Sequence, residues 1–455
     1  MLQIIKQKKK LLIAIIILAL PAIGEMSLNT LLGVADTMMI SRMVGEGALS
    51  AVGFANQIIF TLIFVFSSFN TGATSMVARS FGEKDYKKLN KIAGQTVTIN
   101  FIIGVIISIL AIVFARNIFS IYDVTEEVQG LTLDYFYTVS IGLIFMFLSF
   151  SYAAILRGSG DTMTPLIITG IANVLNIIGN YVLIKGVGPF PEMGIAGAAL
   201  STTLSRVLAT VLYTYVLFIK KKKVHLKLKN LRMTKNIVKP LWKISYPGAV
   251  EQALMQGAFI VIGVIVSQLD TDREASFRIL INLESISFMP AVGLSIAAAT
   301  LVGKALGEKD IKKAVQTGYT ASVVGILWGI IMGLVFLLWP DVLVKAFSEQ
   351  PKIIALSASV MFALGLNQPL LNFMIVMSGA LRGAGDTRNV MLITALRLWT
   401  VFIPFSYVFV ILMGQGLVGV WYAEIASFVV FSAIIFLRFH NQKWVNIKFD
   451  VQPET

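Results

Sequence analysis

The strongest constraint on this chain is internal duplication. LRGSGDT at 156–162 returns as LRGAGDT at 381–387, and GATSMVARSFGEKD at 72–85 returns as AAATLVGKALGEKD at 297–310, both at a spacing of 225 residues. Two unrelated motifs that share one interval require a repeated structural unit, since chance similarity in apolar sequence would not preserve the interval.

Composition assigns that unit to lipid. Hydrophobic residues make up 56% of the chain, charged residues 14%, and the mean hydropathy is +0.81, which no soluble core with a wettable surface can match. Apolar runs fall at about 11–41, 51–79, 93–115, 133–155, 164–185, 194–219, 244–269, 279–303, 316–338, 353–379, 390–413 and 418–437. Each is near or above the ~20 residues a helix needs to cross the hydrocarbon. The runs are continuously apolar, whereas barrel strands alternate with period two and need only ~9–11 residues. The first run follows Lys8, Lys9 and Lys10, yet it is too long for a signal peptide and lacks a cleavage site leading into soluble sequence.

The expected fold is an all-α integral membrane protein of twelve helices in two pseudo-symmetric six-helix bundles. Its parts are an amino lobe at 1–219, a basic connector at 220–243, a carboxyl lobe at 244–437 and a tail at 438–455. Paired halves of this kind are the usual build of a secondary transporter.

Charge orients the spans. Most Lys and Arg fall in segments on the side of the N-terminus, and the positive-inside rule then places both termini in the cytoplasm of a multi-pass protein of the cell's inner membrane. Ten of the basic residues lie between Lys220 and Lys243, in a stretch with no acid. That run reads as an anchor on anionic lipid, and the net charge of +14 as an orientation signal and not a nucleic-acid footprint, since no basic cluster carries interleaved aromatics. Cysteine is absent and the two histidines, His225 and His440, lie in polar segments, so thiolate metal sites and an intramembrane histidine relay are excluded. No cofactor is expected, and an enzyme is disfavoured for want of a nucleophile, metal cluster or paired acids near one interface.

Ionic chemistry inside the membrane must therefore use carboxylates. Five of the 24 acids lie within spans: Glu25, Asp36, Glu251, Glu284 and Glu424. A carboxylate at mid-bilayer costs at least ~2.5–3.5 kcal/mol, so such groups normally face a partner or a path for ions or substrate. The bland alternative is a helix-end acid that reaches the headgroups. Glu25 and Asp36 are eleven residues apart, about three turns, and share a helix face. Pro21 precedes Glu25 as Pro247 precedes Glu251, so each half opens on a proline–glutamate pair. The halves then diverge: Asp36 maps onto Ile262, and Thr202 onto Glu424. Span five adds Asn173, Asn176 and Asn180, whose amides could ligate a small hard cation or could simply join helices by hydrogen bonds. In the other half Arg397 could neutralise one of Glu251, Glu284 or Glu424, leaving negative charge for a proton or a cationic substrate.

The sequence resembles the multidrug and toxic compound extrusion (MATE) family of the multidrug/oligosaccharide-lipid flippase superfamily. The residues that carry the likeness are LALPAIGEMSLNTLLGVADTMMISRMVG at 18–45, the LRG-x-GDT pair, NIIGNYVLIKGVG at 176–188, GIAGAALSTTLSR at 194–206 and ESISFMPAVGLSIAAATLVGKALGE at 284–308. The resemblance implies a V-shaped, monomeric transporter that exports amphipathic organic cations by alternating access, driven by Na⁺ or H⁺. It implies a coupling site, with possible Na⁺, at Asp36, Asn176, Asn180 and Thr202, and substrate or proton acids at Glu251 and Glu284; relatives with an aspartate at the place of Asn180 have one charge more. An acid that some members carry in span ten is missing here, where only Asn367, Gln368 and Asn372 stand. The alternative within the superfamily is a flippase for lipid-linked oligosaccharides, which would want a more cationic interior for pyrophosphate.

Overall fold

The computed structural model describes residues 2–122, 124–220, 224–447 and 449. Fifteen α-helices follow in order: α1 (Leu2–Met43), α2 (Glu46–Ser67), α3 (Asn70–Gly82), α4 (Tyr86–Phe119), α5 (Glu126–Gly158), α6 (Met163–Lys185), α7 (Gly194–Thr214), α8 (Lys235–Val266), α9 (Thr271–Gly307), α10 (Ile311–Leu338), α11 (Pro340–Lys345), α12 (Pro351–Gly383), α13 (Thr387–Leu396), α14 (Ile403–Tyr407) and α15 (Val418–His440). Among the described residues there is no strand, and twelve segments are long and apolar enough to cross a membrane. Three expected spans are irregular among the described residues. The second is interrupted at Ser68 and Phe69, between α2 and α3. The sixth ends in a π-helical turn at Tyr215–Ile219. In the eleventh a π-helical turn at Arg397–Phe402 joins α13 to α14, and another at Val408–Leu412 follows α14.

Two compact units result, one of residues 2–23 with Tyr246–Phe449 and the other of Gly24–Ser245. The unit boundaries fall inside α1 and inside α8, close to Pro21 and Pro247. A proline there removes an N–H donor and frees a carbonyl one turn earlier, which locally weakens the helix. The connector from 224 to 243 packs with the Gly24–Ser245 unit. Gln95 and Thr234 exchange hydrogen bonds of 2.9 and 3.1 Å, Thr98 Oγ1 donates to the Leu231 carbonyl at 2.7 Å, and the His225 N–H donates to Asn90 Oδ1 at 3.1 Å.

The repeated motifs prove to be scaffold. In both GEKD copies the lysine is left-handed, with φ of 59° at Lys84 and at Lys309, which ends one helix. The following aspartate caps the next: Asp85 accepts from the Lys88 N–H and Asp310 from the Lys313 N–H, each at 2.9 Å. In LRG-x-GDT, Gly158 and Gly383 let α5 and α12 meet the backbone at Thr74 and Ala299, where a Cβ would collide. Gly160 and Gly385 turn the chain at φ of 87° and 90°. Both copies thus specify the same stop, turn and restart, which is why the 225-residue interval survives.

Each unit has its own apolar core. Ile40, Ile59, Phe119, Phe136, Leu143 and Phe147 centre the core of Gly24–Ser245. Leu283, Met332, Phe336, Leu364 and Trp421 lie in one cluster of the other unit, and Ile15 and Ala19 of α1 join Met377, Leu381 and Phe439 in a second. Since lipid is as apolar as leucine, close backbone approach and interhelical hydrogen bonds hold such helices together. Gly325, Gly329 and Gly333, one turn apart on α10, face Asn372, Gln368 and Gly365 of α12; a Cβ on Gly329 would stand 2.5 Å from the Gln368 carbonyl oxygen. Gly329→Ala should therefore cost about 1–3 kcal/mol, read as a lowered thermal midpoint in detergent. Gly263→Ala, which meets nothing within 4 Å, should leave the midpoint unchanged or raise it.

Candidate functional site

The acids sort into two kinds according to what reaches them. Glu25 is held by Arg157, whose Nη1 lies 3.1 and 3.0 Å from the two carboxylate oxygens. Glu251 is held in the same way by Arg382, with Nη2 to Oε1 at 2.6 Å, and its Oε1 also accepts from Thr394 Oγ1 at 2.9 Å. Both carboxylates are buried, and both arginines are the second residue of the LRG motif. The proline–glutamate pair and the LRG motif are therefore two ends of one duplicated ion pair. The sequence carries a signal for this pairing in the near-equal offset of its two ends, 225 residues for the arginines and 226 for the glutamates.

Glu25 thus has a cationic partner of its own in Arg157. Arg397 lies near enough to Glu424, Glu284 and Glu251 to feel their charge, yet makes no direct ion pair with any of them among the described residues. Its Nη1 instead donates to Ser427 Oγ at 3.2 Å, and its guanidinium stacks 4.1 Å from the Phe428 ring centroid. The reason is reach: Arg382, at the end of α12, already occupies Glu251, while Arg397 lies on a π-helical turn against α15.

Asp36 is the acid that amides surround. On α6, one turn separates Asn176 from Asn180, and both are fully buried. Asn180 Nδ2 donates to Asp36 Oδ1 at 2.7 Å. Oriented to satisfy its neighbours, the Asn176 amide donates to the same oxygen at 2.8 Å and accepts from Thr202 Oγ1 at 3.2 Å. Asn173, one turn earlier, donates to the Leu28 carbonyl at 2.9 Å and ties α6 to α1. Close approach aligns the rest: a Cβ on Gly197 of α7 would stand 2.6 Å from the Leu183 carbonyl oxygen of α6, and Ser201 Oγ donates to the Asn176 carbonyl at 2.8 Å, placing Thr202 beside Asn176. The four residues expected to form one group therefore do so. No basic side chain makes a direct ion pair with Asp36 among the described residues, and the buried Asn180 Oδ1 has no hydrogen-bond partner there. A carboxylate, a hydroxyl and amide oxygens together form a hard donor set that suits a proton or a small cation.

A second group lies in the other unit, where Glu284 of α9 and Glu424 of α15 face the amides of α12. Asn367 Nδ2 donates to Glu424 Oε2 at 2.9 Å and Gln368 Nε2 to Glu284 Oε1 at 3.4 Å, and Asn367 serves Glu284 as well. Asn367 and Gln368 are fully buried, and neither amide oxygen has a partner among the described residues. These amides stand in the span whose missing acid the sequence made conspicuous. Here that span supplies amide donors, and the carboxylates come from α9 and α15.

Comparison with known proteins places this geometry. The model of the MatE family matches residues 21–182 and again 247–408, once per half. The chain belongs to the MatE family. It is 33% identical over 437 residues to the probable multidrug resistance protein NorM of Thermotoga maritima, covering 94% of this chain and 92% of that one. It is 27% identical to the uncharacterized transporter YisQ of Bacillus subtilis, covering 93% of each. Among solved structures it superposes on a MATE protein in the bent conformation with a TM-score of 0.88 and on a MOP superfamily transporter from Pyrococcus furiosus with 0.87, both at 23% identity and 94% coverage of this chain. The MatE fold, twelve apolar spans and multi-pass membrane character are thereby established.

The two kinds of acid should behave differently. Glu251→Gln and Glu25→Gln each strand an arginine, so each should lower the thermal midpoint in detergent by several degrees, corresponding to about 2–4 kcal/mol. Adding Arg382→Met to Glu251→Gln should restore most of the loss. Glu284→Gln, which strands no cation, should change the midpoint little.

Proposed function

We propose that this MatE protein is an antiporter of the cytoplasmic membrane, exporting amphipathic organic cations by alternating access while Na⁺ or H⁺ runs inward, with both termini in the cytoplasm. The observation that carries the reading is the Asp36 group: one intramembrane carboxylate bound by two buried asparagines, one of which also holds Thr202, with Arg206 nearby but no arginine or lysine in direct ion pair with it among the described residues. A purely structural acid at this depth would be expected to have a countercharge of the kind that Glu25 and Glu251 have. Asp36 instead keeps the capacity to bind and release a cation, as coupling requires. The multidrug resistance named for the Thermotoga maritima relative supports the substrate class. The Glu284–Glu424 group supports it independently, because two acids without a direct cationic partner suit an organic cation. The protein is proposed to act as a monomer on small-molecule substrates. In the Glu284–Glu424 group two acids stand near one arginine, Arg397, a balance that argues against a flippase for pyrophosphate-linked sugars.

Proteoliposomes with the Na⁺ and pH gradients imposed separately test the proposal. One of the two gradients should drive efflux of a cationic dye, and Asp36→Asn should abolish that efflux while leaving expression and thermal midpoint near wild type. Full transport by the variant would overturn the assignment. Asn176→Ala and Asn180→Ala should raise the ion concentration needed for half-maximal efflux before they change substrate affinity.

For the second group, Glu284→Gln should weaken binding of a permanently charged cation about tenfold more than binding of its neutral analogue, because a ligand that cannot shed its charge loses most when a buried countercharge is removed. Equal losses would assign Glu284 to coupling or to structure.

A further inference from the structure

The connector makes more than a link between the halves. Where it turns into α8, Met233, Thr234, Lys235, Val238, Lys239 and Trp242 line a groove of about 440 Å³. Lys235, Val238, Lys239 and Trp242 follow the i, i+3, i+4, i+7 spacing that puts side chains on one helix face. The floor is apolar, and Met233 and Trp242 are 44% and 55% exposed. Lys235 and Lys239 stand exposed on the same face, and neither makes an ion pair among the described residues. The groove is rigidly mounted: the Gln95–Thr234 and Thr98–Leu231 hydrogen bonds hold its entrance, Phe69 packs 5.4 Å from the Trp242 ring, and a Cβ on Gly94 would stand 2.4 Å from the Asn230 carbonyl oxygen.

We infer that this groove binds one anionic phospholipid of the cytoplasmic leaflet, its phosphate between Lys235 and Lys239 and an acyl chain along Met233, Val238 and Trp242. Three features select that occupant. The stretch from 220 to 243 holds ten basic residues and no acid, so it attracts negative charge. An indole at the junction of polar connector and apolar span is the side chain that settles at headgroup depth. Lysines with apolar stems beside an apolar floor match a ligand with a charged head and a hydrocarbon tail, which a free anion or a soluble acidic peptide lacks. The inference rests on the inward orientation of the connector and does not require the ion-coupling assignment.

Trp242 makes the test direct. The full chain is reconstituted in phosphatidylcholine vesicles containing 20% brominated phosphatidylglycerol or, separately, 20% brominated phosphatidylcholine, a composition of about one quencher in five lipids. The quenching of Trp242 is the difference between wild type and Trp242→Phe. Brominated phosphatidylglycerol should quench it at least threefold more than brominated phosphatidylcholine, and inorganic phosphate at about 10 mM should not compete. Lys235→Gln with Lys239→Gln should abolish the preference, while Lys227→Gln with Lys229→Gln, on the same connector but outside the groove, should preserve it. Equal quenching by the two lipids would overturn the inference. So would a preference that survives the first pair of substitutions, or one that falls equally with the second, since the latter marks a diffuse lipid cloud and not a site. Displacement by inorganic phosphate would also overturn it, as a free-anion site.

Discussion

Charge in a hydrocarbon environment must be matched or put to use, and the structure depends on how this chain divides its acids between those two ends. Glu25 and Glu251 are matched by Arg157 and Arg382. Breaking such a pair leaves an uncompensated charge, which costs more than the pair itself contributes. Both halves therefore retain it. The pair ties the helix that opens each half, just past its proline, to the long helix that ends in the LRG turn.

Asp36, Glu284 and Glu424 have no direct ion pair among the described residues. Each is reached by amides, which hold a carboxylate in place without cancelling its charge. The amides also explain why the two groups need not resemble each other. The scaffold positions a polar helix face near the mid-span of each unit, and what stands on it has drifted: Asp36 against Asn176, Asn180 and Thr202 in one unit, Glu284 and Glu424 against Asn367 and Gln368 in the other. Duplication preserved the turns, caps and ion pairs that make a bundle, while the sites diverged.

The connector extends the same economy to the membrane surface. Its basic residues stand on a segment that hydrogen bonds fasten to α4, which gives it a shaped face with a tryptophan in it.

Much of this was legible in the sequence, because helices in lipid are read from composition and length, and because a duplicated chain reports its own boundaries. The twelve spans, the two halves and the gathering of Asp36 with Asn176, Asn180 and Thr202 needed only helical spacing and family resemblance. Tertiary structure alone decided which acid met which cation. Arg157 and Arg382 lie more than 130 residues from their glutamates, and a long, flexible arginine chain could have served several acids. Arg397, a basic residue inside a span, could by its position have neutralised one of Glu251, Glu284 or Glu424, yet from its π-helical turn it meets Ser427 and Phe428. Sequence thus determined what kinds of groups the membrane must accommodate; pairing depended on helix rotation and packing distance, which no local pattern encodes.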